Sequence, residues 1–129
     1  MELVLILPIF LLLVFSIVEF SMLMSAHTRV DNAAQSGARS MCISGASDSE
    51  VRERVISLLG PSLAKDCLIL VYPASYAGEI GRVAIKVPMR NASPDLLWMT
   101  GFSLQNRFID VDAPMVMERT ASNELPDQY

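Results

Sequence analysis

Few side chains in this sequence of 129 residues have the type and spacing that catalysis or metal binding requires. His27 is the single histidine, and it lies where the N-terminal helix is expected to leave the membrane, which favours an interfacial side chain over a catalytic base. Asp110, Asp112 and Glu118 could ligate calcium, but the ligand spacing and glycine of an EF-hand are missing, which favours ion-paired strand residues. No phosphate-binding glycine loop, hydrolase motif or metalloprotease motif occurs. We therefore expect no enzyme, no metal site and no cofactor.

The charge of the chain argues against nucleic acid as a partner. The net charge is −4, and the 10 basic residues are scattered along the sequence. A nucleic-acid-binding protein concentrates positive charge on one surface. Nucleic acid is therefore not an expected partner.

The two cysteines, Cys42 and Cys67, leave two alternatives open. They are too few for a zinc-site pattern, and they do not form a C-x-x-C redox pair. In an exported domain they could form one disulfide that fastens the end of a helix to the start of a strand, worth about 3 kcal/mol. The alternative is a pair of buried free thiols.

The N-terminal segment is apolar enough to cross a membrane. From Leu3 to Ala26 the only charged residue is Glu19, and this stretch forms about 36 Å of helix. No basic residue precedes it, and helix-forming polar sequence follows it, so we expect a retained span instead of a cleaved signal peptide. Pro8 is expected to kink the helix slightly. Glu19 is expected at the outer membrane–water boundary or hydrogen-bonded within a helix bundle.

The helical pattern continues beyond the apolar segment, so a single helix is predicted from Leu3 to about Ile43. In its second half, small residues such as Ala33 and Gly37 recur on one face. Small side chains let another backbone approach closely, and this face is predicted to lie against a sheet.

A second helix and three strands are predicted for the rest of the chain. At the start of the helix either Ser47 and Glu50 form a capping box or Asp48 is the cap, and Gly60–Pro61 predicts the end of the helix. The strands are listed here with their sequences: CLILVY (67–72), RVAIKVPMR (82–90) and FIDVDAPMVME (108–118). The first is apolar throughout, which predicts a strand buried on both faces. The other two alternate, and an antiparallel pairing would set the basic face of one against the acidic face of the other.

The connection between the last two strands contains an apolar cluster. Its members are Leu96, Leu97, Trp98, Met99 and Phe102, and Leu97, Trp98 and Phe102 are the candidate partner surface. Either the segment forms a short helix that closes the core, which we favour, or it is an exposed surface that binds a partner.

The order of these features resembles the type IV pilin plan, and the first forty residues resemble the TadE-like family of tight-adherence (Flp) pilus proteins. The family pattern has a glutamate, a proline, an apolar run that ends in glutamate and an aromatic residue, and a small-residue stretch ending in arginine. The matching positions are Glu2, Pro8, Glu19, Phe20, Asn32, Ala33, Ala34, Gly37, Ala38 and Arg39. The closing strand VDAPMVMER also looks like the last strand of the family.

The resemblance implies an α+β fold, with a long N-terminal hydrophobic helix packed on a small antiparallel β-sheet head and one short extra helix. The expected division is a transmembrane or filament-core half of the helix (1–26), an amphipathic half (27–45), a head domain (46–120) and a flexible tail (121–129).

The resemblance also implies an assembly role for Glu2, Pro8, Glu19, Ala33 and Gly37. In pilins of this plan, the first glutamate neutralises the amino group of a neighbouring subunit. The alternative is that Glu2 lies among lipid headgroups at the end of the span.

The implied partners are other pilin subunits, the membrane, the prepilin peptidase and the pilus assembly machinery. The implied location is the bacterial cytoplasmic membrane, with a single pass and the head on the exported side, before or during assembly into an extracellular pilus. The family carries a leader before its glutamate, whereas only Met1 precedes Glu2 here, which is consistent with a misassigned start, a truncation or an unprocessed variant.

Overall fold

A computed structural model describes residues 2–118 and has a long helix, a second helix and a three-stranded antiparallel sheet, so the α+β pilin-like prediction is confirmed. The elements are α1 (Glu2–Ser44), α2 (Asp48–Ala64), β1 (Leu68–Tyr72), β2 (Ile80–Pro88) and β3 (Phe108–Val116). Two short 3-10 helices, Met89–Asn91 and Trp98–Thr100, lie between β2 and β3. The predicted tail, 121–129, lies outside the described residues.

Helix α1 is one residue longer at each end than the sequence predicts. It ends because Gly45 adopts a left-handed backbone, with φ of 67°. The N–H of Gly45 donates to the Met41 carbonyl at 3.2 Å and that of Ala46 to the Ser40 carbonyl at 3.3 Å, which satisfies the last carbonyls of the helix. The chain then turns back along α1 as α2.

Helix α2 begins with the predicted capping box. The Ser47 N–H donates to a Glu50 carboxylate oxygen at 2.8 Å, and the Glu50 N–H donates to the Ser47 hydroxyl at 3.4 Å. The predicted stop at Gly60–Pro61 is a kink instead of an end, because Gly60 takes a φ of 79° and helical structure then resumes to Ala64. Glycine permits this backbone conformation, and proline is tolerated in the first turn after it.

Removing the cap is expected to destabilise the head in a pH-dependent way. We expect Ser47→Ala to lower the free energy of unfolding by about 1 kcal/mol at neutral pH. Hydrogen bonds from the Ser47 N–H, and then from its hydroxyl, lower the pKa of Glu50. The folded chain therefore binds fewer protons at this carboxylate, and its contribution is present above the ordinary pKa of 4.5 and lost as the pH falls below it.

Urea unfolding at several pH values checks this prediction, with Ser57→Ala, an exposed serine within α2, as the control. Ser47→Ala removes the hydroxyl but keeps the backbone N–H, which is the larger cause of the pKa shift, so only part of the difference between wild type and Ser47→Ala should disappear in acid. A difference that grows as the pH falls would contradict the linkage.

The sheet has the order β1–β2–β3, and both pairings are antiparallel. The predicted meeting of opposite charges is confirmed: Lys86 lies 3.4 Å from Asp110, and Arg82 lies 3.5 Å from Asp112. All four side chains are about half exposed, so each pair contributes less than about 1 kcal/mol. The charges on β3 are therefore paired strand residues, as the sequence suggested.

The prediction that β1 is buried on both faces is wrong. It is an edge strand, and Leu68 and Tyr72 at its ends are about half exposed. An apolar run of this length fits a buried central strand or an edge strand equally well, and the sheet here has no fourth strand among the described residues to cover it.

The core lies between the second half of α1, helix α2 and one face of the sheet. The small-residue stripe predicted on α1 is buried as expected, and α2 contributes its own apolar stripe of Val51, Val55, Leu59 and Leu63. Val83, Ile85 and Val87 of β2 are fully buried against these helices. The sheet therefore lies on the predicted face of α1.

The head has two ends, which we define by the part of α1 that they approach. At the far end, β2 begins beside Met41 and Cys42, close to the end of α1. At the near end, Ser62 and Asn91 share a cleft with Met22 and Arg29, which lie earlier on the helix. The connections 65–67 and 89–107 belong to the near end, and 45–47 and 73–79 to the far end.

Candidate assembly surface

The first part of α1 projects beyond the head and is covered by nothing else among the described residues. From Glu2 to Val18 every side chain is exposed except Val14, which is half-buried. Helix α1 is the single described helix long and apolar enough to cross a membrane. Exposing so many large apolar side chains to water would cost on the order of 10 kcal/mol or more, so this surface requires lipid or other helices around it.

Glu2 and Pro8 both lie in this projecting segment. Glu2 is exposed in the first turn of α1, where the helix dipole and the free N–H groups favour a negative charge. Pro8 lies within the continuous helix. Its missing N–H leaves the carbonyl of Val4 without its usual helical partner, which a packed helix can tolerate. Both residues are therefore accessible to a neighbouring molecule.

Glu19 is the first buried residue of α1, and its surroundings are unusual. Its side chain is only 2% exposed, and neither carboxylate oxygen has a hydrogen-bond partner among the described residues. The cleft around it is lined by Ser16, Phe20 and Leu23 of α1 and by Leu97 and Phe102 of the connection between β2 and β3. A buried carboxylate without a donor destabilises the structure that holds it.

Ala33 and Gly37 are buried under the head of their own chain. A methyl group at Gly37 would lie 2.8 Å from Cγ2 of Val55 and 3.4 Å from Cγ1 of Val51. The small residues therefore allow α2 and the sheet to approach α1, as the sequence indicated. In this structure both residues are buried within their own chain, and their role in assembly stays a prediction.

The cluster in the β2–β3 connection divides into a buried part and an exposed part. Leu97 is half-buried and Leu104 is buried, whereas Trp98 is 66% and Met99 79% exposed. The favoured interpretation, a short helix that closes the core, is therefore wrong for these two exposed side chains. Phe102 is partly exposed, and the Arg107 guanidinium lies over its ring, 5.1 Å from the centroid.

Cys42 and Cys67 do not form a disulfide in the structure, because they lie at opposite ends of the head. The Cys42 thiol lies beside Gly81 and donates to the Met115 carbonyl at 3.4 Å. Cys67 precedes Leu68, which pairs with Lys86. Lys86 lies five residues after Gly81 along β2, about 16 Å away, whereas a disulfide requires Cα atoms within about 7 Å. Both cysteines are free.

Thiol titration is expected to find two free thiols in protein purified without reductant and then unfolded. In the folded protein Cys42 should not react, because it is fully buried. Cys67 should react slowly, because burial and the adjacent Asp66 carboxylate raise the pKa of its thiol. Cys67→Ser is the control and should leave one thiol. Finding no free thiols before reduction and two after it would mean that Cys42 and Cys67 form a disulfide in solution.

The positions considered for chemistry do not come together. His27 is exposed on α1, and Asp110 and Asp112 are paired with Lys86 and Arg82. Among residues 2–118, no group of three histidine, cysteine or carboxylate side chains is placed to hold a metal ion.

Sequence reasoning missed two close approaches. The burial of Glu19 depends on a segment that returns from about 80 residues later, and no local pattern indicates it. Gly81, at the start of β2, lies where a methyl group would be 2.6 Å from Cε of Met41 and 3.1 Å from Sγ of Cys42. A glycine inside a strand is a signal of close approach, so this contact could have been expected.

Comparison with known proteins bears on the projecting half of α1. Residues 1–39 match the TadE-like protein family. The matched segment contains the exposed apolar surface, Glu19 and the small-residue stripe, and ends five residues before α1 does. It agrees with the resemblance found in the sequence. No curated protein and no solved structure matches the chain.

Proposed function

We propose that this chain is a pilin-like structural subunit of a bacterial tight-adherence (Tad/Flp-type) pilus and acts in pilus biogenesis and surface adherence. The observation that carries the proposal is the uncovered apolar surface of α1 from Glu2 to Val18, within a segment that matches the TadE-like family. Before assembly this surface lies in the cytoplasmic membrane, with the head on the exported side. During assembly it packs against the helices of other subunits. The role is structural and involves no catalysis by this chain.

Glu2 is the proposed contact between subunits. Its carboxylate is exposed at the start of α1, where it is available to neutralise the amino group of a neighbour. In a packed helix bundle such a charge would cost several kcal/mol without a partner, so the pairing would fix the axial position of each subunit. The prepilin peptidase and the pilus assembly machinery are the proposed further partners.

The test is complementation of a deletion strain in a bacterium that uses this subunit. Glu2→Gln should reach the membrane at the wild-type level, and surface pili and adherence should be lost. Glu53→Gln, which removes an exposed carboxylate from α2, is the control and should assemble normally. Normal piliation with Glu2→Gln would refute the pairing and leave Glu2 as a headgroup-level residue.

Cryo-electron microscopy of sheared filaments tests the place of the chain in the pilus. If this chain is the repeating unit, it is the major pilin, and the position of Glu2 can be traced in the filament core. If another chain forms the filament, this one is a minor or assembly subunit.

A second candidate function is supported by the exposed side chains of the β2–β3 connection. In it, α1 is only an anchor, and the head binds a protein partner through Leu97, Trp98 and Phe102 without polymerising. This function predicts that Trp98→Ala abolishes binding of the partner, while Glu2→Gln has little effect on it. The pilin function predicts instead that Glu2→Gln abolishes pili.

A further inference from the structure

The connection between β2 and β3 brings exposed apolar side chains to one particular level of α1. Leu97 and Phe102 line the cleft around Glu19 and Phe20, and the Ser93 hydroxyl lies 3.9 Å from Sδ of Met22. The 3-10 helix Trp98–Thr100 sits between the two cleft residues in sequence and is turned outward. We call residues 96–102 the apolar loop.

The length of α1 indicates what surrounds this level of the helix. The uncharged run from Leu3 to Val18 is about 24 Å long, shorter than the hydrocarbon core of about 30 Å. A slab of that thickness that begins at Leu3 ends about 20 residues later, near Met22. The boundary of the hydrocarbon therefore falls where the apolar loop packs on α1. The loop also separates Glu19 from the surrounding lipid, which accounts for a carboxylate at a depth where exposure to lipid is costly.

The exposed residues of the loop have the chemistry of a membrane interface. Tryptophan is enriched at this level of membrane proteins, because its ring is apolar and its N–H can bond to headgroups or water. Trp98 is 66% and Met99 79% exposed, and both belong to a loop that is continuous with the apolar surface of α1. An apolar surface this exposed in a small head requires a covering environment.

The charges of the two ends of the head agree with this orientation. The near-end connections carry Lys65, Arg90 and Arg107 against two carboxylates, at Asp66 and Asp95. The far-end connections carry one carboxylate, Glu79, and no basic residue. Anionic phospholipids attract basic residues and repel acidic ones, so the near end, with its net positive charge, suits a membrane surface better than the far end.

From these observations we propose that the apolar loop lies in the interface of the same bilayer that α1 spans, with Trp98 and Met99 inserted among the phospholipid headgroups and upper acyl chains. The proposal rests on the membrane anchorage in the proposed function. It adds a second membrane contact, which fixes the tilt and depth of the head and shields Glu19 until subunits assemble.

Tryptophan fluorescence tests this directly, because Trp98 is the only tryptophan in the chain. The full chain is reconstituted at low density into vesicles of phosphatidylcholine and phosphatidylglycerol that contain brominated phosphatidylcholine. We expect blue-shifted emission that bromines near the glycerol end of the acyl chains quench more strongly than bromines near the chain ends. Water-like emission that an aqueous quencher removes and bromolipid does not would overturn the proposal.

Two variants made in a Trp98→Phe background calibrate the measurement. Phe10→Trp places the fluorophore in the projecting half of α1 and should be quenched most by deep bromines. Tyr76→Trp places it at the far end, on a side chain 64% exposed and therefore matched to Trp98, and should not be quenched by bromolipid.

The outcomes separate the two proposals. Deep quenching of Phe10→Trp together with a water-exposed Trp98 would refute the interfacial loop and leave the membrane anchor intact. Absence of quenching at Phe10→Trp would refute the anchor and the loop contact with it. Blue-shifted Trp98 emission that depends on protein density and is insensitive to bromolipid would assign the loop to a second copy of the chain and overturn the lipid contact.

Discussion

Replacing Gly37 with valine is expected to lower the free energy of unfolding of the head by about 3 kcal/mol. The first added carbon would already lie 2.8 Å from Cγ2 of Val55, which is a short, stiff side chain that cannot swing away. The sheet is close on the same side, since Cγ1 of Val83 would be 3.7 Å away. Accommodating a valine therefore requires α1 to move away from α2 or the sheet.

Gly37→Ala sets two effects of similar size against each other. Alanine favours a helix over glycine by about 1 kcal/mol, while overpacking of a tight core costs about 1–3 kcal/mol. We expect a small net loss of stability for alanine and a larger loss for valine. This order of losses distinguishes steric crowding from an effect of helix propensity alone. If helix propensity alone mattered, Gly37→Ala would be more stable than the wild type.

Chemical unfolding in detergent, followed by circular dichroism, measures both variants. Arg39→Val is the matched control, because Arg39 lies two residues later on the exposed side of α1 and has no partner among the described residues. It should cost only about 0.5 kcal/mol through helix propensity. Equal losses for Gly37→Val and Arg39→Val would mean that α1 and α2 are not in contact at Gly37 in solution.

The features that sequence reasoning predicted well are those set by local periodicity. The small-residue stripe of α1 repeats at helical spacing, and the strands around Val83 and Val111 alternate at a period of two. Ser47 and Glu50 form a cap within one turn. Each of these signals is contained in a window of a few residues, so the fold class followed from them.

The features that were missed depend on contacts between distant segments. Whether β1 is central or at an edge depends on the number of strands, which its own apolar sequence does not encode. The position of Trp98 depends on how a connection of about twenty residues folds back along α1. The burial of Glu19 follows from that same return, so sequence reasoning placed Glu19 at a boundary without finding what covers it.

Glu19→Leu is expected to stabilise the isolated chain, although it removes a residue that matches the TadE-like pattern. The carboxylate is 2% exposed, its oxygens have no donor among the described residues, and its neighbours include Phe20, Leu23 and Leu97. Leucine has a similar volume and no polar atoms to leave unsatisfied. We expect the free energy of unfolding to rise by about 1–3 kcal/mol, the usual cost of burying an unpaired polar group.

Glu2→Leu is the matched control, because it removes a carboxylate from the same helix at an exposed position. It should lower stability only slightly, by about 0.5 kcal/mol, through the lost interaction with the helix dipole. Urea unfolding in detergent, monitored by Trp98 emission, follows the contact around Glu19 because Trp98 belongs to the apolar loop that covers it. A loss of stability in Glu19→Leu would mean that the carboxylate has a donor in solution, and the account of an unsatisfied buried group would be wrong.

The same variant connects stability with the proposed function. A glutamate that destabilises the free subunit is expected to have a use in another state, and in a helix bundle a donor or cation from a neighbouring subunit could satisfy it. We therefore expect Glu19→Leu to be more stable than wild type and yet to form fewer pili in the complemented deletion strain. Normal piliation by the stabilised variant would mean that Glu19 makes no necessary contact with another subunit. Glu2 would then remain the proposed contact between subunits.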